Sequence, residues 1–245
     1  MDFAFISRIG NRVINEDSYS VKEKNGSCCF TVCDGLGGHA KGEVASKCVA
    51  ETFSDRFEIF DGDICGFFPA AFDAAAENFR KLADESPVLE LMKTTVVSLV
   101  ISAGRCGWAH IGDSRLYGFK NGKTVLCTTD HSVPEMLVKS GEIKQSEIRN
   151  HPDRNKLLRA FGVSDEKPAY ETGELKDIND YDAFLLCSDG FWELINERKT
   201  AKCLKHSQNA EQWLEEMVKQ VEHKGRRREM DNYTAIAVIT EKGGK

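Results

Sequence analysis

Four aspartates stand where apolar, strand-like runs of this 245-residue sequence end or begin. They are Asp34 after CFTVC, Asp113 after WAHIG, Asp189 after FLLCS, and Asp231, which with Asn232 immediately precedes YTAIAVIT. Carboxylates that converge at one end of a sheet repel one another, so their pKa values rise unless a cation neutralises them. Hard divalent cations such as Mg²⁺ and Mn²⁺ prefer oxygen ligands. The pattern therefore favours a metal centre over four separate turns.

A pair of divalent ions would enable this centre to catalyse hydrolysis. Two such ions about 4 Å apart can share a bridging water and lower its pKa, which produces a hydroxide nucleophile near neutral pH. The glycine-rich loop after Asp34 has another interpretation, because Gly35, Gly37 and Ala40 fit the GxGxxA spacing of dinucleotide-binding loops. Asp34 would repel a pyrophosphate there, whereas the Gly35 carbonyl can serve as a further metal ligand. We therefore reject the dinucleotide interpretation.

A charged segment near the N-terminus contains Arg12 and, shortly after it, Glu16 and Asp17. A guanidinium offers a planar fork of donors that suits phosphate. The two carboxylates would then orient metal-bound waters. The alternative is a charged turn before a strand at 19–22, and the segment alone does not decide between the two.

The positioning elements follow from hydrophobic periodicity. Runs rich in branched or aromatic residues predict strands at 27–33, 95–102, 107–111, 115–119, 123–127, 183–187 and 234–240. Helical patterns occupy 42–57, 69–86, 133–140 and 210–222. The strands cluster instead of alternating with helices, which favours an α+β fold with mostly antiparallel sheet.

No repeat or linker marks a boundary, so the sequence predicts one domain. The charged stretch at 131–160, which proline and glycine interrupt, is either an insertion on the core or a plain surface excursion.

The composition is that of a soluble globular protein, with a net charge of −6, 41% hydrophobic residues and 29% charged residues. Nucleic-acid binding needs a basic surface, so this acidity argues against nucleic acid as a partner. No apolar run approaches the roughly 18 residues of a membrane span, and the N-terminus lacks the basic start of a signal peptide. We therefore expect a cytoplasmic protein with no membrane partner.

The nine cysteines form no CxxC pair and no zinc-ligand spacing. Free cysteine in an apolar strand behaves as a small buried hydrophobe. That interpretation applies to the six in or beside strand-like runs: Cys28, Cys29, Cys33, Cys106, Cys127 and Cys187. The sequence thus predicts reduced cysteines in the core of a cytosolic protein.

Eight motifs, in order, resemble those of the metal-dependent serine/threonine protein phosphatase family, also called type 2C, in its compact bacterial form. They are Arg12-x-x-Asn15-Glu16-Asp17, Asp34-Gly-Leu-Gly-Gly-His39, Thr94-Thr95, Gly112-Asp113-Ser114-Arg115, Thr129-Asp130-His131-Ser132, Leu158-Arg159-Ala160, Ser188-Asp189-Gly190 and Asp231-Asn232. Each motif is weak alone, but the ordered set is specific. The resemblance implies a four-layer α/β/β/α sandwich of two mainly antiparallel sheets flanked by helix pairs. It also implies a single phosphatase domain over 1–245 with a flap at 131–160.

The resemblance assigns the metal ligands by position. Asp34 corresponds to the aspartate that bridges the two metals, and Gly35 supplies a backbone carbonyl. Asp189 and Asp231 correspond to the remaining direct ligands of the first metal. Asp113, together with Asp189, corresponds to a ligand set for a third, weaker ion. The implied cofactors are Mn²⁺ or Mg²⁺.

The catalytic side chains are assigned in the same way. Arg12 corresponds to the phosphate-binding arginine, and Glu16 and Asp17 to carboxylates beside the metal waters. Many family members carry a histidine directly after Asp-Gly, to which protonation of the leaving alkoxide is assigned. Leu36 stands there in this sequence, so the acid is either His39 or a metal-bound water.

The implied activity is hydrolysis of phosphoserine and phosphothreonine in proteins by in-line attack of a metal-bridging hydroxide. Positioning and charge neutralisation would supply most of the rate. We expect a monomer that opposes a serine/threonine kinase in signalling. Two alternatives stay open: a module that binds phosphoproteins without turnover, and a metal-dependent nuclease, which the net charge disfavours.

Overall fold

The computed structural model describes residues 1–36, 41–85, 91–162, 168–226 and 228–240. The strands in these ranges are β1 Asp2–Arg8, β2 Asp17–Lys24, β3 Ser27–Leu36, β4 Lys93–Thr94, β5 Val96–Ser102, β6 Arg105–Ile111, β7 Arg115–Lys120, β8 Lys123–Cys127, β9 Glu171–Thr172, β10 Lys176–Asp177, β11 Ala183–Cys187 and β12 Tyr233–Ile239. The α-helices are α1 Gly42–Glu58, α2 Ile64–Glu85, α3 Val133–Ser140, α4 Asp189–Trp192, α5 Glu197–Leu204 and α6 Ala210–Gly225.

These strands form two antiparallel sheets. One sheet has the order β1-β12-β11-β7-β8, and the other has the order β10-β6-β5-β3-β2, with β4 added to β3 and β9 to β6. The first described strand thus pairs with the last, and β12 is flanked by β1 and β11. In the second sheet the β2–β3 register sets Asp17 directly opposite Asp34. Two predicted site residues are therefore neighbours across one strand pair.

The core has three layers, one between the sheets and one under each pair of helices. Side chains alternate between the two faces of a strand, and β3 shows this directly: Phe30 faces the other sheet, whereas Cys29 and Cys33 face α1 and α2. Trp213 of α6 anchors the layer on the opposite side. The molecule is thus the α+β, four-layer sandwich that the sequence analysis expected.

Most predicted elements are present, with shifts of a few residues at their ends. The exception is α2, which begins at Ile64 rather than at the predicted residue 69 and contains Pro69. Pro69 is the sixth residue of α2, so it removes the one hydrogen bond that an N–H at this position would donate to the Cys65 carbonyl. Phe67 and Phe68, just before this proline, are buried in the helix-side core, and their burial favours the longer helix.

The stretch 131–160 contains α3, a 3₁₀ helix at Gln145–Asn150 and the loops between them. The Ser132 hydroxyl accepts a hydrogen bond from the Glu135 N–H and caps α3, and Gly141 ends that helix with a φ of +80°. Arg149 attaches the stretch to the rest of the molecule, since it pairs with Glu197 and donates to the Trp192 carbonyl.

None of the nine cysteines, all of which are described, forms a disulfide. Five of the six that the sequence placed in the core are buried, but Cys127 is exposed. The prediction for Cys127 was wrong because β8 is an edge strand whose residues are mostly exposed. In the described ranges no helix has the length and apolar character needed to cross a membrane.

Candidate active site

Carboxylates from three separate parts of the chain meet at one end of the sandwich. Asp17 opens β2 opposite Asp34 of β3, and Asp189 is the first residue of α4, directly after β11. The Asp34 and Asp189 carboxyls interact with each other, and Asp231 acts on both electrostatically. The structure therefore brings these four predicted residues together.

Burial and mutual repulsion dominate the electrostatics of this cluster. Burial, reinforced by the charges of Asp17 and Asp189, raises the pKa of Asp34 well above its usual range. Burial also raises the pKa of Asp17 to about 7 and, together with Asp231, that of Asp189 to about 6. One oxygen of Asp17, Oδ1, is buried without a hydrogen-bond partner. An oxygen-rich site of this kind fits a hard divalent cation, which would neutralise the carboxylates.

Backbone contacts hold Asp34 and Gly35 rigidly. The Asp34 carbonyl accepts hydrogen bonds from the Thr95 N–H at 2.8 Å and the Thr94 hydroxyl at 2.9 Å. A side chain on Gly35 would place its Cβ 2.2 Å from the Gly42 carbonyl oxygen. Glycine is thus required here because this end of β3 passes directly against the start of α1.

Two polar residues tie the separate segments together. Ser188 donates to Asp17 Oδ2 at 2.7 Å and accepts from the Thr234 N–H at 2.9 Å. Asn232 accepts from the Glu16 N–H at 2.8 Å and donates to the carbonyls of Ile9 and Ile14. Glu16 and Asp17 are thereby fixed against the loop that carries Asp231. Neither contact was predicted from the sequence, although Ser188 and Asn232 each adjoin a predicted aspartate.

Arg12 reaches the same cluster from the loop after β1. Its guanidinium donates to Asp231 Oδ2 at 2.7 Å, and its side chain is 51% exposed. This hydrogen bond raises the arginine pKa further. The exposed part of the guanidinium faces a cleft of about 450 Å³ that Asp189 and Asp231 also line. A phosphate group in this cleft would meet both the guanidinium and the acidic cluster.

Asp113 lies in the buried turn between β6 and β7. Burial and the charge of Asp189 raise its pKa well above the usual range, and its carbonyl accepts from the Trp192 indole N–H at 2.9 Å. Next to this turn, Arg115 forms a buried, two-pronged pair with Asp130 at 2.8 and 2.7 Å. Asp113 thus adjoins the cluster beside Asp189. The last predicted residue, His39, lies outside the described residues.

A second group of potential metal ligands, distinct from the aspartates, consists of His110, His131 and Glu171, whose donor atoms lie within 4.8 Å of one another. This group was not predicted from the sequence. Its histidines come from β6 and from the Thr-Asp-His-Ser motif, and a strand as short as β9 gives no sequence signal for Glu171.

Comparison with known proteins agrees with this geometry. A sequence model described as "Protein phosphatase 2C" matches residues 6–233. The serine/threonine protein phosphatase PstP of Mycobacterium tuberculosis is 31% identical over 201 residues, which cover 82% of this chain and 38% of PstP. The chain therefore spans well under half the length of that relative.

Solved structures show the same fold. The crystal structure of a bacterial serine phosphatase has a TM-score of 0.90 to this chain at 26% identity, with 100% of both chains covered. The catalytic domain of PstP, solved in complex with two manganese ions, has a TM-score of 0.77 at 26% identity and covers 97% of this chain and 96% of that one. The sequence model of the family matches most of the chain, and the solved structures have the same fold. The chain therefore belongs to the protein phosphatase 2C family.

Proposed function

We propose that this chain is a metal-dependent phosphatase that hydrolyses phosphoserine and phosphothreonine in proteins. The observation that carries the proposal is the half-buried pair of Asp34 and Asp189, whose carboxyls interact with each other, at a cleft that Asp189 and Arg12 line. Carboxylates whose pKa values are raised by burial and mutual repulsion fit a cation, and the Arg12 guanidinium suits a phosphate dianion.

The donor set indicates how the metals would be held. Two Mn²⁺ or Mg²⁺ ions would be held by Asp34, the Gly35 carbonyl, Asp189 and Asp231, and Asp113 with Asp189 would hold a third ion. Bound there, such ions supply an activated water and neutralise charge on the phosphoryl group.

The remaining side chains would bind the phosphate group, orient water molecules and donate the proton to the leaving group. Arg12 would hold the non-bridging phosphate oxygens through its exposed guanidinium, and Glu16 and Asp17 would orient waters within the acidic cluster. Ser188 keeps Asp17 in place, because it donates to one carboxylate oxygen and is itself held by the Thr234 N–H. His39 or a water would protonate the leaving alkoxide.

The cellular setting completes the proposal. We infer a cytoplasmic, monomeric enzyme that acts in signalling on phosphoproteins and opposes a serine/threonine kinase. It would form a single domain over 1–245, with residues 131–160 as a flap beside the cleft. The position of Arg149 in that stretch supports this assignment, since its side chain lines the cleft. A phosphoprotein that accumulates in cells lacking this chain, and that the chain dephosphorylates in vitro, would identify the target.

The direct test measures phosphate release from a phosphothreonine peptide and from p-nitrophenyl phosphate. We expect turnover with Mn²⁺, none with a chelator, and a loss of about 1000-fold in Asp34→Asn and Asp189→Asn, because each removes several kcal/mol of transition-state stabilisation. Asp180→Asn, an exposed substitution at the opposite end of β11, should leave the rate unchanged.

The same preparations separate the alternatives. Phosphopeptide binding without turnover, unaffected by Asp189→Asn, would replace the enzyme with a binding module. Cleavage of DNA under these conditions, without phosphatase activity, would favour a nuclease.

A further inference from the structure

His131 and Gly112 are joined by two hydrogen bonds in opposite directions. The backbone N–H of His131 donates to the Gly112 carbonyl at 3.0 Å, and the backbone N–H of Gly112 donates to the ring atom Nδ1 of His131 at 3.1 Å. His131 is buried, with 6% of its surface exposed. His131 therefore holds both peptide units that flank the Gly112 Cα: its imidazole accepts from the N–H of the first, and its backbone N–H donates to the carbonyl of the second, which leads into Asp113.

Gly112 has a conformation that sets the direction of the chain into Asp113. Its φ is +101°, a value that other residues rarely adopt, and a Cβ at this position would lie 2.6 Å from the Thr95 side chain. Glycine has no side chain that could fix the turn by packing, so the orientation of the turn depends on hydrogen bonds from residues outside it. His131 supplies bonds to both its N–H and its carbonyl.

The hydrogen bonds also define the protonation of the imidazole. A backbone N–H only donates, so Nδ1 must accept, and the ring proton is on Nε2, which lies 3.1 Å from Glu171 Oε1. Burial and the neighbouring His110 lower the pKa of His131, which keeps the ring neutral.

This arrangement does not suit a metal ion at His110, His131 and Glu171. A histidine that ligates a metal usually donates its other ring N–H to an acceptor, whereas Nδ1 of His131 faces a donor. The rings of His110 and His131 are also stacked nearly parallel, at 6° and 4.8 Å between centroids, so one ion cannot lie in both ring planes. The three residues instead form a brace behind the Gly112 turn.

We propose that His131 is a positioning residue that presents Asp113 to the metal cluster beside Asp189 by accepting the Gly112 N–H at Nδ1. The inference rests on the proposed function, because it assigns Asp113 to a metal. The route is short: His131 fixes Gly112, Gly112 sets the path of the backbone, and the Trp192 indole fixes the Asp113 carbonyl from the other side.

Two substitutions of His131 distinguish the role of Nδ1 from that of Nε2. Asparagine at 131 offers an acceptor near the Nδ1 position, and glutamine offers a polar atom near the Nε2 position. Asn therefore keeps the bond to Gly112 and loses the contact with Glu171, whereas Gln does the reverse. We expect His131→Gln to raise the half-saturating Mn²⁺ concentration for p-nitrophenyl phosphate hydrolysis about tenfold, and His131→Asn to stay close to the parent protein.

A second readout needs neither activity nor metal. Isoleucine precedes glycine at only two places in the sequence, Ile9-Gly10 and Ile111-Gly112. Carbonyl-¹³C isoleucine with ¹⁵N glycine thus gives two selected amide signals in the metal-free full chain, with Gly10 as the internal control. Exchange of the Gly112 amide should be about fivefold faster in the Gln variant and unchanged in the Asn variant.

The outcomes are distinguishable. A parent protein without phosphatase activity overturns the proposed function, while the amide signals still test the brace. Equal behaviour of the Asn and Gln variants, or rescue by Gln alone, overturns the role of Nδ1, whatever the parent activity.

Discussion

Replacement of Asp17 by asparagine should stabilise the metal-free protein at neutral and alkaline pH. Burial raises the Asp17 pKa from 3.8 to about 7, so between these values the folded state binds more protons than the unfolded state. The free energy of unfolding must then fall as pH rises from about 4 to about 7. At about 1.4 kcal/mol for each pKa unit, the full penalty is about 4 kcal/mol above pH 7 and vanishes below pH 4.

The assay is thermal unfolding in a chelator over pH 4.5 to pH 8. For a chain of this size, about 4 kcal/mol corresponds to a melting-temperature difference on the order of 10 °C. The melting temperature of Asp17→Asn should therefore exceed that of the parent protein by that amount at pH 8 and by much less at pH 4.5, where the penalty is about 1 kcal/mol. Saturating Mn²⁺ should remove most of the difference by stabilising the parent protein, since a ligand that binds only the folded state raises its stability.

Asp180→Asn is the control, because that carboxylate is exposed. It should show no pH-dependent gain. The difference in stability between Asp17→Asn and the parent protein could instead stay constant from pH 4.5 to pH 8. That result would refute the inference that the buried, charged Asp17 carboxylate destabilises the metal-free protein.

Three further substitutions test other parts of the site. Gly35→Ala should cost about 3 kcal/mol of stability, since its Cβ would meet the Gly42 carbonyl; urea denaturation measures this. Arg12→Lys should lower kcat/KM for a phosphopeptide roughly 100-fold, because an ammonium lacks the planar fork of donors; steady-state kinetics measure it. Asp130→Asn should cost about 3 to 5 kcal/mol, because it leaves the Arg115 guanidinium buried without its partner; thermal unfolding follows it.

The substitutions at Arg12 and Asp130 each have a matched control, and an unchanged kcat/KM in Arg12→Lys would contradict the role of the planar guanidinium. Arg80→Lys changes an exposed arginine of α2 and should leave kcat/KM unchanged. Asp153→Asn breaks the exposed pair with Lys156 and should leave the stability nearly unchanged. Equal losses in Asp130→Asn and Asp153→Asn would mean that burial adds nothing to the Arg115 pair, and normal stability in Gly35→Ala would mean that the loop can move away from α1.

The fold was readable from the sequence where periodicity was strong. In the run SCCFTVC, alternate residues face two different core layers, and β3 forms there as predicted. β1 was missed because its side chains are only partly buried at a sheet edge, which blurs the alternation. α5 was missed because its sequence, ERKTAKCL, is largely polar, so its core-facing positions produce no apolar stripe.

The positions of the site residues were readable because aspartates recur at strand ends. Their spatial relation was not, since it depends on register: only the pairing of β2 with β3 sets Asp17 opposite Asp34. The hydrogen bonds by which Ser188 and Asn232 connect separate segments were not predicted, for a similar reason. A serine or asparagine beside an aspartate resembles an ordinary turn residue until the segments it bonds to, around Thr234 and Ile9, are brought alongside.

The pairing of β1 with β12 has a consequence for how the protein is made. Arg12 and Asp17 are synthesised early, but Asp231 and the strand that follows it leave the ribosome more than 200 residues later. Until then β1 has no neighbour at its β12 edge, and Arg12 lacks the Asp231 carboxylate that holds it. A nascent chain thus cannot complete the cleft, and closure of this long-range pair is expected to be a slow folding step.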